Sequence, residues 1–107
     1  MEEEKERNKN REGDDSNLPE GGVMNYNVFM NQQSSRLMVE YHLSNAADIS
    51  VILFDMQGRM LEQYPKERKE EEYYTLEIPM EGYQRGEYLL RITVDEQVYA
   101  EKITKSR

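Results

Sequence analysis

From residue 23 onward, apolar and polar side chains alternate with a period of two, the pattern of strands that bury one face. Tyr26, Val28 and Met30 alternate with Asn25, Asn27 and Phe29. Leu37, Val39, Tyr41 and Leu43 alternate with Met38, Glu40 and His42, which reads as a half-buried strand. The denser run Ile49–Phe54 fits a central strand. Residues 59–64 predict a shorter, weaker strand. Tyr74, Leu76 and Ile78 give the fifth strand, and Tyr88, Leu90, Ile92 and Val94 the sixth. A last strand covers roughly residues 97–104, and its inward face is ambiguous. No helical stripe of any length is present, so the body is all-β.

The turn residues support that count. Asp55-Met56-Gln57-Gly58 places Asp at the first and Gly at the fourth position of a type I turn. Gly82 and Gly86 bracket Tyr83-Gln84-Arg85 ahead of the sixth strand, and Asp95-Glu96 is short enough for a tight hairpin. Pro65 and Pro79 are expected just beyond strand ends, where a missing N–H does least harm. Lys66–Glu72, a mixed-sign run, is expected to be a solvated loop between the fourth and fifth strands, with Lys66–Glu70 or Arg68–Glu72 pairs at helical spacing. Seven short strands with such punctuation predict an immunoglobulin-like β-sandwich, with a small barrel as the alternative.

Composition adds a boundary. Of 107 residues, 22 are acidic and 14 are Lys or Arg, for a net charge of −8. Residues 1–22 are almost without apolar side chains and are expected to be a disordered charged tail or linker, leaving residues 23–107 as the folded domain. The tail lacks the apolar stretch of a signal peptide. An acidic chain repels phosphate backbones, so nucleic acid is not an expected partner. No apolar run is long enough to span a bilayer as a helix. With no cysteine there is no disulfide, thiol nucleophile or zinc–thiolate site.

Candidate chemistry is sparse. The single histidine, His42, lies on the polar side of its strand, with no sequence signal for a nucleophile or an aligned partner. Asp14-Asp15, Asp48, Asp55 and Asp95-Glu96 lack calcium-loop spacing and read as tail or turn formers. The glycines form no phosphate-binding loop, and the outward Glu40 and Glu77 define no shared cleft. No catalytic residue, metal site or cofactor is expected. One feature points to binding: if Val51, Leu53, Leu90 and Ile92 face the core, then Ile52, Phe54 and Leu89 form an outward apolar patch. Such a patch is either an interface or is covered by another part of the chain.

A family resemblance rests on three segments. The stretch Ile49–Leu61, ISVILFDMQGRML, resembles the V-x-L-Y-D-x-x-G-R-x-L signature of type IX (Por) secretion C-terminal sorting domains. Tyr83–Ile92, YQRGEYLLRI, resembles their L-x-x-G-x-Y-L-L-R-I strand, and Val98–Lys105 resembles their basic final strand. The Tyr-Pro-Asn-Pro-like opening of that family is reduced here to Asn31 in Phe29-Met30-Asn31-Gln32. The resemblance implies a non-enzymatic sorting or surface-targeting module, read by an outer-membrane secretion translocon and exported to the periplasm, outer membrane or cell surface. Position by position, it singles out Asp55, Gly58, Arg59, Gly86, Tyr88, Lys102, Ile103 and Lys105. The alternative is a free-standing exported adaptor that binds a protein partner through an exposed sheet face or an edge strand.

Overall fold

The computed structural model describes residues 24–107. The expected charged tail over residues 1–22, with Asp14 and Asp15, lies outside these described residues. Alternating side chains build seven strands: β1 (Met24–Asn31), β2 (Arg36–Leu43), β3 (Ala47–Asp55), β4 (Met60–Lys69), β5 (Tyr73–Pro79), β6 (Gly86–Val94) and β7 (Gln97–Lys105). They form two antiparallel sheets, a three-stranded one in the order β1-β2-β5 and a four-stranded one in the order β4-β3-β6-β7. This is the predicted all-β sandwich of immunoglobulin type rather than a closed barrel.

The register shows why the pattern folds this way. In the three-stranded sheet Val28 faces Val39, which faces Leu76. In the other, Val51 and Leu53 of β3 face Ile92 and Leu90 of β6. Each set points inward, and Leu37, Val39, Leu43, Leu53, Ile78, Leu90, Ile92 and Val94 are fully buried between the sheets. Burying a large aliphatic side chain stabilises by about 1.5–3 kcal/mol, so these facing rows are the main attraction between the layers.

Two polar clasps join the sheets where the edge strands β1 and β7 meet. The Tyr26 hydroxyl donates to Glu101, and the Tyr26 ring packs edge-on against Tyr99 at 5.3 Å. Further along, the Gln32 amide donates to the Thr104 carbonyl and accepts from the Ser106 N–H, each at 3.0 Å.

The fourth strand departs from expectation. β4 runs ten residues to Lys69, so Pro65 lies inside it and Lys66–Lys69 extend it rather than forming a loop. Ile49 faces Glu67 while Val51 faces Tyr64, so Pro65 and Lys66 together oppose Ser50 in a bulge. An edge strand with a bulge tolerates a residue that cannot donate to the ladder. Pro79 likewise ends β5 from within rather than from beyond it. The helical pairs do not form; Lys69 meets Glu67 at 3.6 Å, two residues away on one strand face, and Arg68 meets Asp48 at 3.5 Å. Asp95, with φ of 54°, makes the β6–β7 hairpin, and its carboxylate accepts from the Asp48 N–H at 2.9 Å.

Candidate recognition site

One pole of the sandwich gathers the end of β3, the start of β4, the loop before β6 and the end of β7. Asp55 organises its first wall. The Asp55 carbonyl accepts from the Gly58 N–H at 3.0 Å, closing the predicted turn, and Gly58 takes a φ of +87° that side-chain-bearing residues rarely adopt. One carboxylate oxygen of Asp55 accepts from the N–H groups of Gln57 and Arg59, both at 2.9 Å, and the other from Arg59 Nε at 2.6 Å. The Asp55 side chain is only 14% exposed, whereas Arg59 is 74% exposed. Asp55 is therefore a structural acceptor, and the outer edge of the Arg59 guanidinium faces solvent. The Arg59 N–H is the largest influence on the Asp55 carboxyl and lowers it; burial, next in size, opposes this, and the Arg59 side chain, the Gln57 N–H and the Arg59 charge add to the lowering, so the carboxyl is held below its ordinary range.

The second wall is the loop between β5 and β6. The Tyr83 N–H donates to the Met80 carbonyl at 3.1 Å. The Tyr83 hydroxyl reaches Glu62 and the Leu61 carbonyl of β4, where a second bulge sets Leu61 apart from the register. That hydrogen bond to Glu62, with burial next, pushes the Tyr83 phenol up to about 12. The buried Tyr88 turns its hydroxyl onto the Gln84 carbonyl. From β7, Lys105 donates its ammonium to the Tyr83 carbonyl at 2.6 Å. Gly86 allows the chain to enter β6 with a φ of +148°.

Between these walls runs an open groove of about 470 Å³, lined by Asp55, Met56, Arg59, Tyr83, Arg85 and Tyr88 among others. Residues 55–59 and 83–88 are thus brought together although β4 and β5 separate them in the chain. Residues 27–106 match the family model for the secretion system C-terminal sorting domain.

The chain belongs to the type IX secretion C-terminal sorting domain family. No curated protein matches it in sequence. In this sorting domain, Asp55, Arg59, Gly86 and Tyr88 line the groove, and Gly58 shapes the turn beside it. Lys105 touches the groove loop from behind. Ile103 faces Tyr88 in register and is buried in the core, away from the groove. Lys102 points to the opposite face of β7, with its ammonium 3.8 Å from Glu87. The final strand's basic residues are therefore divided between two faces.

Residue-level reasoning missed Tyr83 and Glu62, which fix the loop, and Gln32, which holds the end of β7. Tyr83 stands at the head of the YQRGEY stretch and was visible as part of it. Glu62 and Gln32 carry no local signal.

Ile52, Phe54 and Leu89 all turn away from the core, and none is buried. Phe54 faces Leu89 across the β3–β6 ladder, and the Arg91 guanidinium lies 5.1 Å from the Phe54 ring. The patch is thus roofed in part by a cation–π contact. The His42 ring stacks on Tyr73, with the ring centroids 4.2 Å apart. Among the described residues, no group of three or more His, Asp or Glu side chains is arranged to hold a metal ion. No helix among them is long and apolar enough to cross a membrane.

Proposed function

We propose that residues 23–107 form a non-enzymatic sorting and surface-targeting domain whose polar groove is its recognition surface. Membership of the sorting-domain family supplies the general role, a signal for export through type IX secretion. The observation that carries the finer reading is the convergence of the 55–59 turn and the 83–88 segment on one groove. These two segments carry two of the three resemblances to the family. Asp55 and Gly58 spend their hydrogen bonds and backbone freedom on the turn's shape, leaving Arg59, Met56 and Arg85 to meet a protein partner such as an outer-membrane translocon. A preorganised surface lowers the entropy lost on binding.

The test joins the full chain to the C-terminus of a periplasm-directed fluorescent reporter in a host with a working type IX system. The expected result is surface display that disappears when residues 97–107 are removed and falls sharply with Arg59→Ala. A folded fusion that stays in the periplasm overturns the reading.

A second reading is favoured by the outward Ile52–Phe54–Leu89 patch: a free-standing exported adaptor that binds its partner through the four-stranded sheet. It predicts partner capture that depends on Phe54 and Leu89 and is indifferent to Arg59.

A further inference from the structure

Lys105 is the one charged side chain that is buried among the described residues, at 6% exposure. Its ammonium donates to the Tyr83 carbonyl at 2.6 Å and pairs with no carboxylate among the described residues. Seating a lysine in a packed layer restricts the hydration of its ammonium, and a well-packed apolar residue of similar volume is often as good or better for the stability of a fold. Fold stability alone is therefore a poor reason for a lysine at this position.

The loop that receives it lacks strand pairing, so its shape depends on a few tethers. Tyr83 reaches Leu61 and Glu62 on β4, Tyr88 on β6 holds the Gln84 carbonyl, and Lys105 on β7 holds the Tyr83 carbonyl. Only the last comes from the strand that folds from the end of the sequence. β7 seats the ammonium because Gly86 faces Lys105 in register, placing the lysine beside the exit of the loop. Gln32 fixes the same end of β7 through the Thr104 carbonyl and Ser106 N–H.

We infer that Lys105 is a positioning residue that couples docking of the final strand to the shape of the groove, so that the recognition surface is complete only once β7 is in place. This rests on the groove being the surface that is read. Until β7 docks, the Tyr83 carbonyl lacks its ammonium donor, and the groove wall over residues 82–86 keeps only the Tyr83 N–H bond to Met80 and the tethers to β4 and β6. A chain without its last strand thus presents the motif residues without their arrangement.

The test compares the full chain with Lys105→Met, which keeps the aliphatic stem and removes the donor, and with Lys105→Arg, which restores one. In Lys105→Met, amide exchange over residues 82–86 rises by about tenfold or more while the β3 and β6 core amides stay protected. Reporter display falls in parallel, and Lys105→Arg recovers both. Unchanged exchange in a folded Lys105→Met overturns the inference, and so does loosened exchange with normal display. If the wild-type reporter is not displayed at all, the sorting reading fails while the exchange measurement still decides the coupling. If Lys105→Met does not fold, the wild-type protein decides: a slowly exchanging Lys105 ammonium signal in nitrogen-labelled spectra supports the contact, and a freely exchanging one overturns it.

Discussion

Tyr26 and Glu101 are separated by 75 positions in sequence and stand on different sheets, yet the hydroxyl of one is donated to the carboxylate of the other. That bond, then burial, then the nearby Glu101 charge push the Tyr26 phenol up to about 12. Raised phenols stabilise the fold at pH values where the unfolded tyrosines, near 10, are still protonated, and that stabilisation is lost as pH climbs from about 10 through about 12. Tyr41, raised mainly by burial, and Tyr83 behave alike. Ultraviolet titration should show three of the eight tyrosines ionising last, near 12. Tyr26→Phe should remove one of them and reduce the loss of stability between pH 10 and 12.

The acid limb belongs to Asp55. Its folded carboxyl is held below the unfolded value, so its contribution is present above about pH 4 and lost as pH falls through the folded value. Asp55→Asn should flatten that part of the stability profile. Equilibrium urea unfolding from pH 6 down to pH 2 checks it, and identical slopes in the two proteins would rule it out.

Gly58 tests the turn from the backbone side. An added Cβ there meets nothing within 4 Å, so the φ of +87° is the main obstacle to a side chain. Gly58→Ala should cost about 1–2 kcal/mol, while Gly58→Asn, better tolerated in left-handed backbone, should cost less. Thermal unfolding of the two variants makes the comparison.

Leu90 stands at the centre of the four-stranded sheet, opposite Leu53 on one side and Glu101 on the other, and is fully buried. Leu90→Ala should lower stability by about 2–5 kcal/mol through lost transfer energy and the cavity left behind. A folded variant within about 1 kcal/mol of the parent would mean that the core collapses freely around it.

The double variant Phe54→Ser with Leu89→Ser separates the two functional readings. If the groove is read, display of the reporter should be unchanged within about twofold, as for surface changes with little effect on stability. Loss of display with an intact fold would move the recognition surface to the four-stranded sheet.

Much of the architecture was legible because β1, β2, β3 and β6 each keep an unbroken apolar row on the inward face, whatever the outward face carries. β4 was obscured because edge position and two bulges let charges occupy both of its faces, so its alternation fades at Pro65. β7 was ambiguous for a different reason: its inward row includes Glu101 and Lys105, polar ends that the fold satisfies with Tyr26 and the Tyr83 carbonyl. The turn chemistry of Asp55 and Gly58 could be read locally. The groove could not, because its second wall arrives through strand pairing between β3 and β6, a long-range relationship. Lys102 and Lys105 look equivalent in sequence, and only the odd–even alternation of β7 divides them between solvent and interior.

Pro65 and the bulge beside it have a consequence outside the single molecule. β4 forms one border of the four-stranded sheet, and a straight border of unpaired N–H and C=O groups is a template on which another chain can add its own strand. A residue without an N–H, a bulge and the charges of Lys66 to Lys69 interrupt that template at its middle. Another chain, a second copy included, would therefore find little to zip onto along this border.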